Sequence, residues 1–400
     1  MNCDKAACLR LVAAAVAGCA LWLGSPALLS AQGHNGQAGR EQIGGGTTFV
    51  HSKFGGSIFG FDIDQNGAEG VLSEGQTLNN GKTLAAVETF DQATGKILKV
   101  IKKTETLDDF VTHGIVGTSI GLVEYQIVTG IYVTKRVYEV LNPLSANKFT
   151  GTWNAPLKGD DIIMSVSRQG SPTTAVFYFE NSGNSPSFVM GSNVGANTFG
   201  PQIQLKDPLF CFCLVPVMAY DTVTNQAVIA SSTGAVGGPA PEIALVNLTT
   251  GKVKEFTGVD EPPLGPGSVN GIAVDSEDGI AVTATELNGN ITFYDLKNQT
   301  GFLVPLPDPG QLTSGTDVEF DPVHKLFFVA QQVSGTGPGS SIQVYDTSGN
   351  LVESLNGFTF SDDSSVIGTY IALNPSNRTG YVNSSGPDGT QGNALQAFTY

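Results

Sequence analysis

Four short runs rich in β-branched and aromatic residues follow one another between Val269 and Gly315, each closed by a turn cluster. They read VNGIAVDSEDG, IAVTATELNG, NITFYDLKNQTG and FLVPLPDPGQLTSG. That is the pattern of a four-stranded antiparallel meander. The next segment repeats it as TDVEFDPVHK, LFFVAQQVSGTGPG, SSIQVYDTSG and NLVESLNG. A four-stranded unit recurring about every 45–55 residues predicts blades set around an axis, the β-propeller architecture.

Two anchors trace the repeat. One is an apolar or aromatic residue, then Asp or Asn, then a Gly turn: Phe90-Asp91 with Gly95, Val246-Asn247 with Gly251, Tyr294-Asp295 with Gly301, and Tyr345-Asp346 with Gly349. The carboxylate or amide oxygen accepts turn N–H groups, and Gly supplies the positive φ. The other marks the innermost strand of each blade, at Asp221, Asp275, Asp321 and Asn374. Four blades then fill residues 208–400. Before them, 58–73, 86–101, 121–153 and 160–191 read as strand pairs of further units. Dividing the ~355 residues after the leader by ~50 per blade gives an all-β propeller of about seven blades, with six or eight as neighbouring counts. The last strand, Ala394–Thr399, has no hairpin after it and is expected to pair with N-terminal strands, closing the ring and removing its free edges.

The N-terminus carries Lys5 and Arg10, an apolar run from Leu11 to Leu23, then Gly24 and Pro26. The run is short for a span and reads as a secretory signal, residues 1–31, cleaved after Ala31. A rival reading takes Val16-Ala17-Gly18-Cys19 as a lipoprotein cleavage box with Cys19 lipidated. Residues 32–46, Gly- and Gln-rich, read as a flexible leader to a propeller at 47–400. No other stretch approaches the roughly 18 apolar residues of a spanning helix, so no transmembrane segment is expected. Periplasmic or extracellular placement follows. Outside the signal the cysteines are Cys211 and Cys213, at i and i+2. On a regular strand their Cβ atoms would sit about 6–7 Å apart, whereas a disulfide needs about 3.5–4.5 Å. A bridge there requires a bulge or turn; two buried thiols are the other reading.

Acidic residues outnumber basic ones 36 to 20, a net charge of −16. Such a surface disfavours nucleic acid and anionic membranes and favours neutral or cationic partners, protein or small molecule. The lysines of the Lys99–Lys103 stretch read as a solvated strand edge.

Asn270-Gly271-Ile272-Ala273-Val274-Asp275 with Ile291-Thr292-Phe293-Tyr294-Asp295, and Ile342-Gln343-Val344-Tyr345-Asp346 with Gly349, resemble the NHL repeat. Similar segments occur in YVTN-type and lactonase-like propellers, including the SMP-30/gluconolactonase group. The resemblance implies the scaffold, while function resides in loops. In the SMP-30 group an Asn before Gly, an Asp in the following blade and an N-terminal Glu hold a divalent cation that polarises a lactone. Asn270 and Asp317 are the matching pair here. Val318 follows Asp317 where the family has Gly, and no Glu-Gly-Pro-like motif supplies the third ligand. The other reading is that both residues cap strand starts.

A second candidate is Asp62-Ile63-Asp64-Gln65-Asn66-Gly67. Oxygen side chains at alternate positions with Gly at the sixth fit a Ca²⁺ loop; Ser73 stands at the twelfth position in place of Glu, so Glu69 or Glu74 would be the further ligand only with altered geometry. The other reading is a plain hairpin, Phe61-Asp62 being the repeat's aromatic–Asp anchor and Asn66-Gly67 its turn. His34, His51, His113 and His324 form no metal pair in sequence, and no Gly-x-Ser-x-Gly elbow or phosphate loop occurs. The sequence therefore points to an exported propeller acting as a binding scaffold through loops and channel mouth. The alternative is a metal-dependent hydrolase of lactones or related esters.

Overall fold

The Asp- and Asn-anchored hairpins form as expected and combine into seven sheets. The computed structural model describes residues 49–400 except 66, 81, 107–108, 117–119, 130–131, 154–162, 168–173, 181–186, 194–195, 197, 206–216, 232–241, 258–268, 286–288, 308–312, 334–339, 359, 361–370 and 385–393. The chain enters through β1 (Phe49–His51). Blade 1 holds β2 (Ser57–Ile63), β3 (Glu69–Thr77), β4 (Thr83–Asp91) and β5 (Ile97–Thr106). Blade 2 holds β6 (Asp109–Val116), β7 (Gly121–Thr129), β8 (Tyr132–Leu141) and β9 (Gly151–Trp153). Blade 3 holds β10 (Ile163–Ser167), β11 (Thr174–Glu180) and β12 (Ser187–Asn193). Its fourth position is split between β13 (Thr198–Phe199) and β14 (Ile203–Gln204), both paired to β12.

The C-terminal half is more regular. Blade 4 holds β15 (Val217–Asp221), β16 (Gln226–Ser231), β17 (Glu242–Asn247) and β18 (Val253–Thr257). Blade 5 holds β19 (Val269–Asp275), β20 (Ile280–Thr285), β21 (Asn290–Asp295) and β22 (Thr300–Pro305). Blade 6 holds β23 (Thr313–Asp321), β24 (Leu326–Val333), β25 (Ser340–Asp346) and β26 (Leu351–Phe358). Blade 7 holds β27 (Ile371–Asn374), β28 (Thr379–Ser384) and β29 (Ala394–Thr399), and takes β1 as its outer strand. The first strands touch in succession, β2–β6–β10–β15–β19–β23–β27 and back to β2, so the ring is closed and these strands line its axis. The count of seven and closure through β29 both agree with the sequence reading. β1 pairs Phe49 with Gln396, Val50 with Leu395 and His51 with Ala394.

Between each pair of neighbouring blades lies one apolar cluster. A blade is thus buried on both faces, and its middle strands read as continuous apolar runs such as Ala227-Val228-Ile229-Ala230 rather than as alternation. Outer strands keep exposed positions, and the lysines of β5 lie on such an edge, where they discourage further pairing. Among the described residues no helix is long and apolar enough to cross a membrane.

One cross-strand contact recurs with unequal partners. Gly380 on β28 faces Phe398 on β29, and a Cβ there would lie 2.3 Å from the ring's Cζ. Gly70 and Phe90 make the same contact in blade 1, also at 2.3 Å, whereas blade 5 has Ala281 opposite Tyr294. Gly380→Val forces the Phe398 ring out of the blade 6–7 core. It should cost about 2–3 kcal/mol, read as a lowered urea midpoint at unchanged slope.

Candidate functional site

The two ends of the ring differ in kind. At one end the inner strands of blades 1, 4, 5, 6 and 7 turn into the next strand through a short hairpin held by a terminal Asp or Asn. Asp221 Oδ1 accepts the N–H of Val223 and Thr224, Asp275 Oδ1 those of Glu277 and Asp278, and Asp321 Oδ1 those of Val323 and His324, at 2.7–3.4 Å. Third strands end the same way at Asp91, Asn247, Asp295 and Asp346. Left-handed residues close the turns, among them Gly95, Gly251, Gly279 and Gly349.

Adjacent blades are also stitched at this end. Thr222 N–H donates to Ser276 Oγ (3.0 Å), and Lys325 Nζ sits 2.9 Å from the buried Asp275 carboxylate. Tyr400 hydroxyl donates to Asp321 (2.8 Å), and Asn374 Nδ2 donates to Gln92 Oε1 (2.8 Å). Antiparallel order sends every second-to-third-strand connection, and every crossing to the next blade, to the opposite end. The connections leaving described strands at that end include 206–216, 232–241, 258–268, 361–370 and 385–393, which lie outside the described residues and are together rich in Gly, Pro, Ser and acidic residues.

Among the described residues, three carboxylates stand on inner strands between these ends: Asp62 on β2, with Asp317 and Glu319 on β23. Along β23, Val318 and Phe320 are buried in the blade 5–6 core, while Asp317 and Glu319 on the opposite face stay half-buried. Asp317 Oδ1 accepts the N–H of Val318 and Oδ2 that of Ile371, both at 2.8 Å. Burial pushes its carboxyl up to about 7, against the pull of those two N–H groups. Burial also raises Glu319 well above the ordinary carboxylate range, and the charges of Asp317 and Asp62 push it further. A channel of this kind offers acceptors and shared protons, a setting for hydrogen-bond donors and cations and against anions.

Sequence-derived candidates fall out as follows. Asp64, not Asp62, is the strand-end anchor of blade 1, correcting the assignment of Phe61-Asp62 to that role. Asp64 is buried, its N–H donates to Glu69 O (2.9 Å) and its carbonyl accepts from Gly67 (3.3 Å). A Cβ on Gly67 would lie 2.3 Å from Asp64 Oδ2, so the carboxylate lies over the turn. The reason is spacing: four residues separate Asp64 from Glu69, as they separate Asp275 from Ile280 and Asp321 from Leu326. Asp62 instead accepts the N–H of Ile63 (2.8 Å). Glu69 is raised by burial, with an opposing hydrogen bond from Asn147 and the charges of Asp64 and Asp91 nearby.

Asn270 and Asp317 prove not to be equivalent positions. Counting back four residues from Asp275 and Asp321 pairs Gly271 with Asp317, and Asn270 with Thr316. Asn270 and Thr316 occupy matching register shifts in β19 and β23, and β2 has a third at Phe59. Both strands carry the bulge at the same place, so it does not offset one against the other; the anchors Asp275 and Asp321 lie 46 residues apart and Asn270 and Asp317 lie 47 apart, which leaves that pair one residue out of step. The two blades still meet here, because a Cβ on Gly271 would lie 2.6 Å from Asp317 Cα. Through Ile371, Asp317 caps the start of β27, the strand-capping role. Among the described residues, no group of three or more His, Cys, Asp and Glu side chains is gathered closely enough to hold a metal ion. Asn66, Cys19, Cys211 and Cys213 lie outside the described residues.

Glu319 was missed. The signal was visible: Ala219, Ala273 and Ala372 hold the place two before the strand-end anchor, where Glu319 and Asp62 stand in blades 6 and 1. A large acid at an axial position reserved for alanine has no packing reason.

No protein-family model matches the chain, and no curated protein matches it. Solved structures do. The WD40 repeats of RRP9 superpose with a TM-score of 0.58 at 11% identity, over 90% of this chain and 99% of that one. A chain of the mitotic checkpoint complex gives 0.56 at 13%, over 95% and 99%. Kuenenia stuttgartiensis hydrazine synthase gives 0.55 at 12%, over 88% and 97%. Identities this low show the fold alone, and that fold is a β-propeller.

Proposed function

We propose that the protein is an exported binding scaffold that presents its long connections and acidic channel mouth to a neutral or cationic partner. The observation that carries this reading is the inequality of the two ends. Among the described residues, one is held by anchored turns and inter-blade hydrogen bonds, and the other carries the longest connections, where a rigid ring leaves sequence free to vary for recognition. Export rests on the basic and apolar N-terminal run, and the NHL/YVTN likeness on the Asn270–Asp275 and Ile342–Asp346 segments. The RRP9 likeness, a set of WD40 repeats, is in keeping with a scaffold role. The carboxylates of the channel support the choice of partner charge, because an anion would meet further carboxylate oxygens and a chain of net charge −16.

The test begins with chemical crosslinking of the mature chain in its own compartment to obtain the partner. Three variants are then compared: 232–241 replaced by Asn-Gly, 385–393 replaced by Asn-Gly, and Val223→Lys with Val323→Lys on the turn end. The expected result is unchanged melting for all three, with binding lost at least about tenfold only in the shortened ones. Loss confined to the turn-end variant overturns the reading. So does metal-dependent hydrolysis of a lactone by the intact chain that Asp317→Asn abolishes.

A further inference from the structure

The seam where the ring closes is held by something the other described blade junctions do not show. Residues 52–56 carry the chain from β1, the outer strand of blade 7, to β2, the inner strand of blade 1. Two glutamates of blade 1 clasp this link. Glu74 on β3 pairs with Ala86 and Glu88 on β4 pairs with Leu72, so both side chains leave the same sheet face as Leu72, which belongs to the blade 7–1 core. Diagonal neighbours of this kind are within reach of long side chains. Both glutamates are fully buried. Glu74 Oε2 accepts the N–H of Gly56 and Glu88 Oε2 that of Lys53, each at 3.0 Å. The Ser52 hydroxyl and the Phe54 N–H also bond Glu74.

The remaining oxygen of each, Oε1, is buried with no hydrogen-bond partner. Two buried carboxylates, both ionised, are costly to keep. The charged groups around Glu88 are Glu74 from β3 and Lys53 from the link. Lys103 of β5 stands 4.8 Å over the Phe54 ring, and β1 adds the exposed His51. None of these neutralises both carboxylates.

We propose that Glu74 and Glu88 form a proton-operated latch on the ring seam. With a proton on the pair, the 52–56 link is clamped and β1 stays on blade 7; with both ionised, link and β1 come loose and the edge of β29 is uncovered. Burial, and after it the charge of Glu74, raises Glu88 to about 7, against the Lys53 N–H and charge, and burial raises Glu74 as well. The folded value exceeds the unfolded one. The contribution to stability is therefore full below about 4.5 and is lost as pH rises through about 7.

Hydrogen exchange of the 49–58 segment at pH 5.5, 7.0 and 8.5, corrected for intrinsic rates, tests the latch, with β20–β21 as internal reference. Protection of the seam should fall about tenfold between the extremes while the reference stays level. Glu88→Gln should hold the seam protected throughout, with Glu74→Gln as the second variant if the first does not fold. His51→Asn should leave the fall in place. A seam protected equally at all pH values overturns the proposal, as does an unchanged fall in both glutamine variants or a fall abolished by His51→Asn. Protection restored at pH 8.5 by added Ca²⁺ also overturns it, because a cation and not a proton then neutralises the pair.

Discussion

Asp321→Ala should lower the stability of the ring by about 3 kcal/mol or more, seen as a large drop in the urea midpoint at unchanged slope. Asp321 is fully buried and satisfies four donors at once. Oδ1 takes the N–H of Val323 at 2.7 Å and of His324 at 3.0 Å. Oδ2 takes the Tyr400 hydroxyl at 2.8 Å and the His324 ring Nδ1 at 2.7 Å. Alanine leaves the Tyr400 hydroxyl and both turn amides without an acceptor in a site that water reaches poorly. Asp321→Asn keeps the turn acceptor, as Asn374 does in blade 7, and loses one oxygen toward Tyr400. It should therefore cost far less, about 1 kcal/mol. Equal losses for the two variants would show that the Tyr400 contact, and not the turn, carries the effect.

This residue also shows what was legible in sequence. Asp221, Asp275, Asp321 and Asn374 could be assigned to inner-strand ends because a tight hairpin needs a side-chain acceptor at its first residue and a left-handed residue at its last. The acceptor leaves a mark in every one of these hairpins, and the left-handed residue leaves one at Asn225 and Gly279 but not at Lys325 or Arg378. The C-terminal blades were therefore readable one by one, and so was closure through β29, whose strand had no partner of its own. The site was less readable, for two physical reasons. The start of an inner strand carries no turn acceptor to mark it, so Asn270 and Asp317, 47 residues apart, pass for a pair when the anchors Asp275 and Asp321, 46 apart, make Gly271 the partner of Asp317. Asp62 and Asp64 share a face and a chemistry, and only counting from the hairpin's far end at Glu69 separates the turn anchor from the axial acid. The Glu74–Glu88 clasp had no local signature at all. It depends on the meeting of residues from blade 1 with a link arriving from blade 7, and a sequence pattern within one repeat carries no information about that junction.

Removal of β1 tests that junction most severely. A chain beginning at Lys53 keeps Phe54 through Gly56 but lacks the three residues that pair with Ala394, Leu395 and Gln396. Val50, fully buried, leaves the core it shares with Ile58, Leu72, Tyr381 and Leu395, and β29 becomes an open edge. Burial of one such side chain is worth about 1.5–3 kcal/mol, and the lost strand pairing and inter-blade contact raise the total to the order of 5 kcal/mol. Because every blade rests on two neighbours, an opened ring exposes two apolar faces and not one. The truncated chain should unfold at a much lower denaturant concentration, with a broader transition, and associate through the β29 edge in a concentration-dependent manner. A chain beginning at Thr47 should match the longer protein in both respects. Monomeric, cooperative unfolding of the Lys53 chain at an unchanged midpoint would show that three strands close the seventh blade unaided, and that β1 only decorates it.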